Sequence, residues 1–196
     1  YGLVYLKECL AISLHACLYL FGWLPFGKPK PVSEEKEAPI VLIAGLWGNR
    51  ATLFPLYWRL RKAGFNNIHL LRLSPTLRSL DKIAQNLQPQ LEDICRRSNA
   101  TPLQLVGLGA GALAIRYLIH QGLQIPIARC IGVGAAYQGT QLAVFAPSQI
   151  GAQLKYPSDF LMRLKTGDIP LSTLTTALDQ FTLPPLQRAL PNNATQ

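Results

Sequence analysis

The sequence predicts a doubly wound α/β domain, built on a mostly parallel sheet with helices on both faces. Short apolar runs rich in β-branched residues alternate with longer amphipathic runs, which is the order of βαβ units. The first of these runs, 39–44, is continuously apolar, as expected for a parallel strand that is covered on both faces. With 196 residues, 49% of them hydrophobic, the chain is long enough to bury one sizeable core.

The predicted elements begin at residue 39 and follow one another in regular alternation. Helices are predicted where apolar residues recur three and four positions apart. Basic residues gather where the first two helices end, which complements the helix dipole. The expected elements are a strand at 39–44, a helix at about 52–63, a strand at 68–72, a helix at about 79–98, a strand at 103–106, a helix from 110 and a strand at 128–134.

The first 38 residues are predicted to lie outside this domain. An apolar N-terminal helix is expected over 1–26, because residues 9–26 carry no charge, and 27–38 form a linker rich in proline and charged residues. The uncharged run is just long enough to span a bilayer. We therefore expect a possible membrane anchor, with a helix that covers a groove of the domain as the alternative. The protein would be membrane-associated or cytoplasmic.

Composition restricts the partners. The net charge of +9 is dispersed, and no nucleic-acid motif accompanies it, so we expect no nucleic-acid partner, while the positive excess favours an anionic membrane surface. The three histidines and four cysteines show no metal-ligand spacing. No metal and no cofactor are expected, and the cysteines are interpreted as buried free thiols.

The segment 107–111, Gly-Leu-Gly-Ala-Gly, lies between a predicted strand and a predicted helix. A serine hydrolase carries G-x-S-x-G at such a turn, where the serine projects from a strained backbone and needs small flanking residues. Gly107 and Gly111 provide the flanks, and Gly109 stands where the serine would be. Glycine relieves the strain, so the turn is expected without its nucleophile. A phosphate-binding turn is the alternative for this segment, although Ala112 replaces the third glycine of G-x-G-x-x-G.

Four motifs, in their expected order, resemble the α/β-hydrolase superfamily and, within it, the bacterial triacylglycerol lipases and esterases. The resemblance covers roughly residues 39–195. Residues 44–48 are similar to the family's H-G-x-x-G, residues 107–111 to G-H-S-x-G, and residues 134–140 to G-x-P-H-x-G-T. Residues 157–164 are similar to the P-G-S-x-F-L-x-x-L helix, and residues 177–184 are similar to the loop of the triad acid.

The resemblance implies an ester-hydrolase scaffold with altered chemistry. Asp179 takes the place of the triad acid, and the backbone N–H groups of Leu46 and Ala110 take the place of the oxyanion hole. Gly109 removes the nucleophile, and no histidine follows His120, although the triad order requires one after the acid. We therefore expect a catalytically degenerate lipase-like protein that binds a lipid or ester-like small molecule, or an unknown protein partner.

Two other functions stay open on the sequence. One is an active carboxylic-ester hydrolase, with Thr140 or Ser148 as an unusual nucleophile, or with its histidine on a further C-terminal segment, so that the domain over 39–196 would be truncated. The other is a nucleotide-binding protein, although no acidic residue follows strand 128–134 to hold a ribose. His120, about three turns into its helix, is expected to be structural.

Overall fold

A parallel sheet forms the centre of the domain in the computed structural model, which describes residues 10, 13, 17, 37–46, 48–75, 78–99, 101–146, 148–164, 171–174 and 194–195. The strands are β1 (Ile40–Ile43), β2 (Ile68–Leu71), β3 (Leu103–Leu108), β4 (Ile127–Val133), β5 (Leu171–Leu174) and β6 (Ala194–Thr195). They pair in the order β2-β1-β3-β4-β5-β6. Every neighbouring pair is parallel.

Helices connect these strands, as the alternating pattern predicts. Pro55 stands in the first turn of the helix that follows β1, where its fixed φ is already helical. The helices are α1 (Phe54–Lys62), α2 (Leu80–Arg97), α3 (Ala110–His120), α4 (Ser148–Leu154) and α5 (Asp159–Met162), with short 3-10 helices at Arg50–Leu53 and Gln141–Phe145.

Both faces of the sheet carry a hydrophobic core. Successive residues of a strand point to opposite faces. Val41 and Ile43 accordingly belong to the larger cluster, which includes the buried side chains of α2 and α3. Ile40 and Leu42 belong to the smaller cluster, against which α1 packs. All four are buried, so the predicted doubly wound sheet with helices on both faces is confirmed.

The structure adds two strands that the sequence did not predict. β5 is only four residues long, and Leu171 is its one buried residue, which is too little to show a periodic pattern. β6 has two residues and pairs with β5. Pairing with β4 defines β5, because Cys130 through Val133 align with Leu171 through Leu174.

The N-terminal predictions fall mostly outside the described residues. Leu10, Ser13 and Cys17 are described and have helical backbone, whereas the rest of 1–26 and most of the linker 27–38 lie outside. The expectation of a buried thiol is wrong for Cys17, which is exposed, because its segment contributes no described residue to either core cluster. Cys95 and Cys130 are buried free thiols, as expected. None of the helices in the described part of the chain is long and apolar enough to cross a bilayer.

The order of the strands reverses between β1 and β3. The chain passes from β1 to β2 on one side, returns to β3 on the other side, and continues outward through β4. In open α/β sheets, ligands bind at the carboxyl ends of the strands where the order reverses. The loops that follow β1 and β3 start at this point, and they contain the predicted oxyanion residue Leu46 and the predicted elbow.

Candidate functional site

Gly109 alone turns the chain from strand to helix. β3 ends at Leu108 and α3 begins at Ala110. The backbone of Gly109 has φ 51° and ψ −117°, a conformation that side-chain-bearing residues rarely adopt. Its N–H donates to the carbonyl oxygen of Val133 at 2.8 Å. The strand, elbow and helix predicted around 107–111 are therefore present.

The two flanking glycines are required for space. A Cβ at Gly107 would collide with the backbone of Ala112, in the first turn of α3. A Cβ at Gly111 would lie 2.7 Å from the carbonyl oxygen of Ile43 and 2.8 Å from that of Ala44. The start of α3 thus packs directly on the ends of β1 and β3, as the small flanks of a nucleophile elbow require.

The loop after β1 lies beside the elbow. A Cβ at Gly45 would be 3.1 Å from the carbonyl oxygen of Leu108. The loop is a tight turn, because the N–H of Gly48 donates to the carbonyl oxygen of Gly45 at 3.0 Å. Leu46 is half-buried in this turn and packs against the larger core cluster. The structure therefore brings Leu46 into the neighbourhood of Gly109.

Ala110 is the first residue of α3 and is buried. The first N–H groups of a helix have no acceptor within the helix and carry the positive end of its dipole. A carboxylate, phosphate or polarised carbonyl oxygen is favoured at such a position. The start of α3 supplies this environment without any charged side chain, since its first turn has no acidic or basic residue.

The space beside Gly109 is open. Outside the residues adjacent to Gly109, the one described atom within 4 Å of the place a Cβ would occupy is the carbonyl oxygen of Gly134, at 4.0 Å. No described nucleophile enters this space. Thr140 lies further along the same loop, where its side-chain oxygen caps a 3-10 helix by accepting from the N–H of Leu142 at 3.3 Å. Ser148 is the first residue of α4.

Tyr137 stands where the resemblance places a histidine, and its side chain is directed into the core. It is 2% exposed, and its hydroxyl lies over β4 where a Cβ at Gly132 would collide with it. The hydroxyl has no hydrogen-bond partner among the described residues. Burial raises the pKa of Tyr137 well above its ordinary value. The phenol therefore stays neutral at physiological pH and provides no base.

Arg116 fastens the loop of Tyr137 to α3. Its guanidinium donates to the carbonyl oxygen of Tyr137 at 3.3 Å and to that of Leu164 at 2.5 Å. It also lies over the Tyr137 ring, 5.6 Å from the ring centre. Burial lowers the pKa of Arg116, yet an arginine keeps its charge in proteins. In the sequence the one signal for this residue is a lone arginine within an apolar helix, which did not predict its role.

The remaining predicted residues do not join the site. Asp179 lies outside the described residues, so its place as the triad acid stays a prediction. His120 is the last residue of α3, about 15 Å along the helix axis from Ala110, which is too far for it to act as a base at the elbow. In the described part of the chain, no group of three or more histidine, cysteine, aspartate or glutamate residues could hold a metal ion.

An elbow after the third strand of a doubly wound parallel sheet, with a glycine turn beside it, defines an α/β-hydrolase fold. No family model and no curated protein matches this sequence, but solved lipase structures match the fold. Aspergillus fumigatus lipase B has a TM-score of 0.66 at 14% identity, over 81% of this chain and 42% of that one. Bacillus licheniformis lipase BlEst2 in its propeptide form has a TM-score of 0.62 at 19% identity, over 74% and 37%.

A phospholipase is a third structural neighbour. PlaB from Legionella pneumophila, in complex with thio-NAD, has a TM-score of 0.59 at 14% identity, over 71% of this chain and 37% of that one. At these identities the likeness shows the fold. This chain spans about two fifths of the length of these neighbours. The chain has the α/β-hydrolase fold, and its structural neighbours include lipases.

Proposed function

We propose that this protein is a catalytically degenerate lipase- or esterase-like α/β-hydrolase that binds a lipid or ester-like small molecule at the elbow without cleaving it. Gly109 is the observation that carries the proposal. Its backbone keeps the conformation that presents a nucleophile, the space beside it is open among the described residues, and the nucleophile itself is missing. A site with this shape and no attacking atom binds rather than reacts.

The surroundings of the elbow favour an acyl compound with a polar head. The start of α3 offers N–H groups to a carboxylate or ester oxygen. Leu46 and Leu108 are half-buried apolar side chains next to it, which suits an alkyl chain. The neighbours whose names call them lipases and a phospholipase support the same ligand class. The proposal also includes association of the protein with a membrane. Asp179 is proposed as the position of the triad acid on the resemblance alone.

Intact-mass analysis after treatment with a fluorophosphonate tests the absence of hydrolase chemistry. This reagent forms a covalent adduct with an activated serine, and we expect none on this chain while a lipase control is labelled in full. The Gly109→Ser variant is expected to give no ester hydrolysis, because no histidine follows His120 in the sequence. An adduct on the unaltered chain, mapped for example to Ser148, would establish the hydrolase alternative instead.

Binding of laurate tests the site itself. Gly109→Asn and Gly109→Asp introduce side chains of equal size and equal backbone strain, and they differ in charge. We expect the aspartate variant to bind laurate at least about tenfold more weakly than the asparagine variant, because its carboxylate repels that of the ligand. Equal affinities of the two variants, or binding of NAD and not of laurate, would contradict a carboxylate site at the elbow.

A further inference from the structure

The outward face of α1 exposes aromatic side chains. Trp58 is 59% exposed, and Phe65, just past the end of the helix, is 43% exposed. None of the nine residues of α1 is buried. The inner side of the helix is nevertheless held, because Leu56, Tyr57 and Leu60 pack against the smaller core cluster. Exposed aromatic side chains on and just after a helix whose inner side is packed make this end of α1 a candidate interaction surface.

The same face is basic. Residues 50–65 contain four basic side chains and no acidic one. Lys62 follows Trp58 by one helical turn, so the two share the outward stripe, and Arg59 is exposed beside them. The described ion pairs lie elsewhere and join Asp93 to its helix neighbours. We call Trp58, Arg59, Lys62 and Phe65 the α1 surface.

Two further groups border the α1 surface without reversing its charge. Arg61 donates to the side-chain oxygen of Asn66 at 2.7 Å. The carboxylate of Glu37 accepts from the backbone N–H of the same Asn66 at 3.1 Å. Even with Glu37 included, the basic side chains of 50–65 outnumber the acid four to one.

We propose that the α1 surface docks on an anionic lipid surface. Tryptophan favours the boundary between the polar and apolar layers of a membrane, and basic side chains around it attract anionic headgroups. The overall charge of +9 acts in the same direction. The inference goes beyond the proposed function, since it concerns a helix surface apart from the elbow and requires no ligand there.

Fluorescence quenching of Trp58 tests this contact in the full chain. Trp23→Phe and Trp47→Phe leave Trp58 as the sole tryptophan. We expect brominated phosphatidylcholine to quench it in vesicles that also contain phosphatidylglycerol, and to quench it little in vesicles without anionic lipid. If the chain sediments with the anionic vesicles and Trp58 remains unquenched, another segment binds the membrane and the proposal is overturned.

Charge variants test the recognition. Arg59→Gln with Lys62→Gln is expected to weaken binding to the anionic vesicles about fivefold for each charge removed. Arg96→Gln with Arg97→Gln removes the same charge from the exposed end of α2 and is expected to have little effect. Equal losses of vesicle binding in both variants would show that overall charge causes the effect, and they would contradict docking through the α1 surface.

Two further readouts complete the experiment. Laurate affinity is expected to be unchanged in the variant that carries Arg59→Gln and Lys62→Gln. A failure of the elbow proposal is thereby distinguished from a failure of the α1 proposal. Tighter binding of a single-stranded oligonucleotide than of anionic vesicles, lost in the Arg59 and Lys62 variant, would assign the α1 surface to nucleic acid instead.

Discussion

The glycines of the elbow are needed for two different physical reasons. Gly107 and Gly111 have no room for a side chain, because backbone atoms of α3 and β1 occupy the space. Gly109 has room, but its φ of 51° strains any residue with a Cβ. A lipase accepts that strain at its serine in order to present the nucleophile. At this position the chain keeps the shape without the strain and without a serine.

This distinction predicts the effect of alanine at each position. We expect Gly107→Ala to lower the free energy of unfolding by more than about 3 kcal/mol, because backbone has to move. Gly109→Ala is expected to cost only about 1–2 kcal/mol of strain, as is Gly64→Ala, where φ is 97° and the space is also open. Urea denaturation measures all three. Similar losses for Gly107→Ala and Gly109→Ala would show that the packing at β3 is looser than described.

At the scale of the elements, α4 completes the start of α2. The first residue of α2, Leu80, donates its N–H to the side-chain oxygen of Gln153 at 2.5 Å, and the amide nitrogen of Gln153 donates to Asp81 at 3.1 Å. Ser79, at the N-cap, makes no side-chain cap hydrogen bond. Gln153 therefore caps α2 from a distant part of the sequence, and it holds α4 against the start of α2.

Gln153→Ala is expected to lower the free energy of unfolding by about 1 kcal/mol, the usual cost of losing a cap. Gln149→Ala, at an exposed position of the same helix, is the matched control and is expected to be neutral. Burial acts to raise the pKa of Asp81, but hydrogen bonds from Ser79 and Gln153 lower it overall. Asp81 thus stabilises the fold at neutral pH and less so in acid. The cost of Gln153→Ala should shrink at acidic pH, and a constant cost would contradict this coupling.

At the scale of the whole molecule, one sheet separates two cores of unequal size. The larger core takes in α2, α3 and the loop after β4, and it buries Cys130 and Tyr137 together. Burial raises the pKa of the Cys130 thiol to about 12, and it raises the pKa of the Tyr137 phenol well above its ordinary value. Both groups must stay protonated in the folded chain, while the unfolded chain releases their protons at lower pH.

The folded protein is therefore expected to lose stability in alkaline solution. For Cys130 the stabilisation is complete below about pH 9, the ordinary value for its thiol, and is lost as the pH rises from there to about 12. Thermal unfolding measured across this range should show a steeper decline for the unaltered chain than for Cys130→Ala. Tyr137→Phe removes the second contribution and an unsatisfied hydroxyl, so it should also flatten the decline. Parallel profiles for all three proteins would contradict the assignment.

Much of the fold could be predicted from local patterns. Short, mainly apolar runs identified β1 to β4, and helical periodicity identified α1, α2 and α3, because each pattern depends on residues close together in the chain. The elbow was predictable from Gly107, Gly109 and Gly111 for the same reason. The roles of Arg116 and Tyr137 could not be predicted in this way. The guanidinium of Arg116 depends on carbonyl oxygens elsewhere in the chain, and the phenol of Tyr137 depends on the space left by Gly132.

By itself the sequence determined the α/β class, the elbow and the absence of a serine at residue 109, all of which follow from the identity and spacing of near neighbours. The tertiary structure alone decided which distant segments meet: Gly45 against Leu108, Gly111 against the end of β1, and β5 beside β4. It also decided that Trp58 faces outward. Such contacts form when the strands assemble into the sheet and helices cover its two faces, because residues far apart in the chain are then packed against one another.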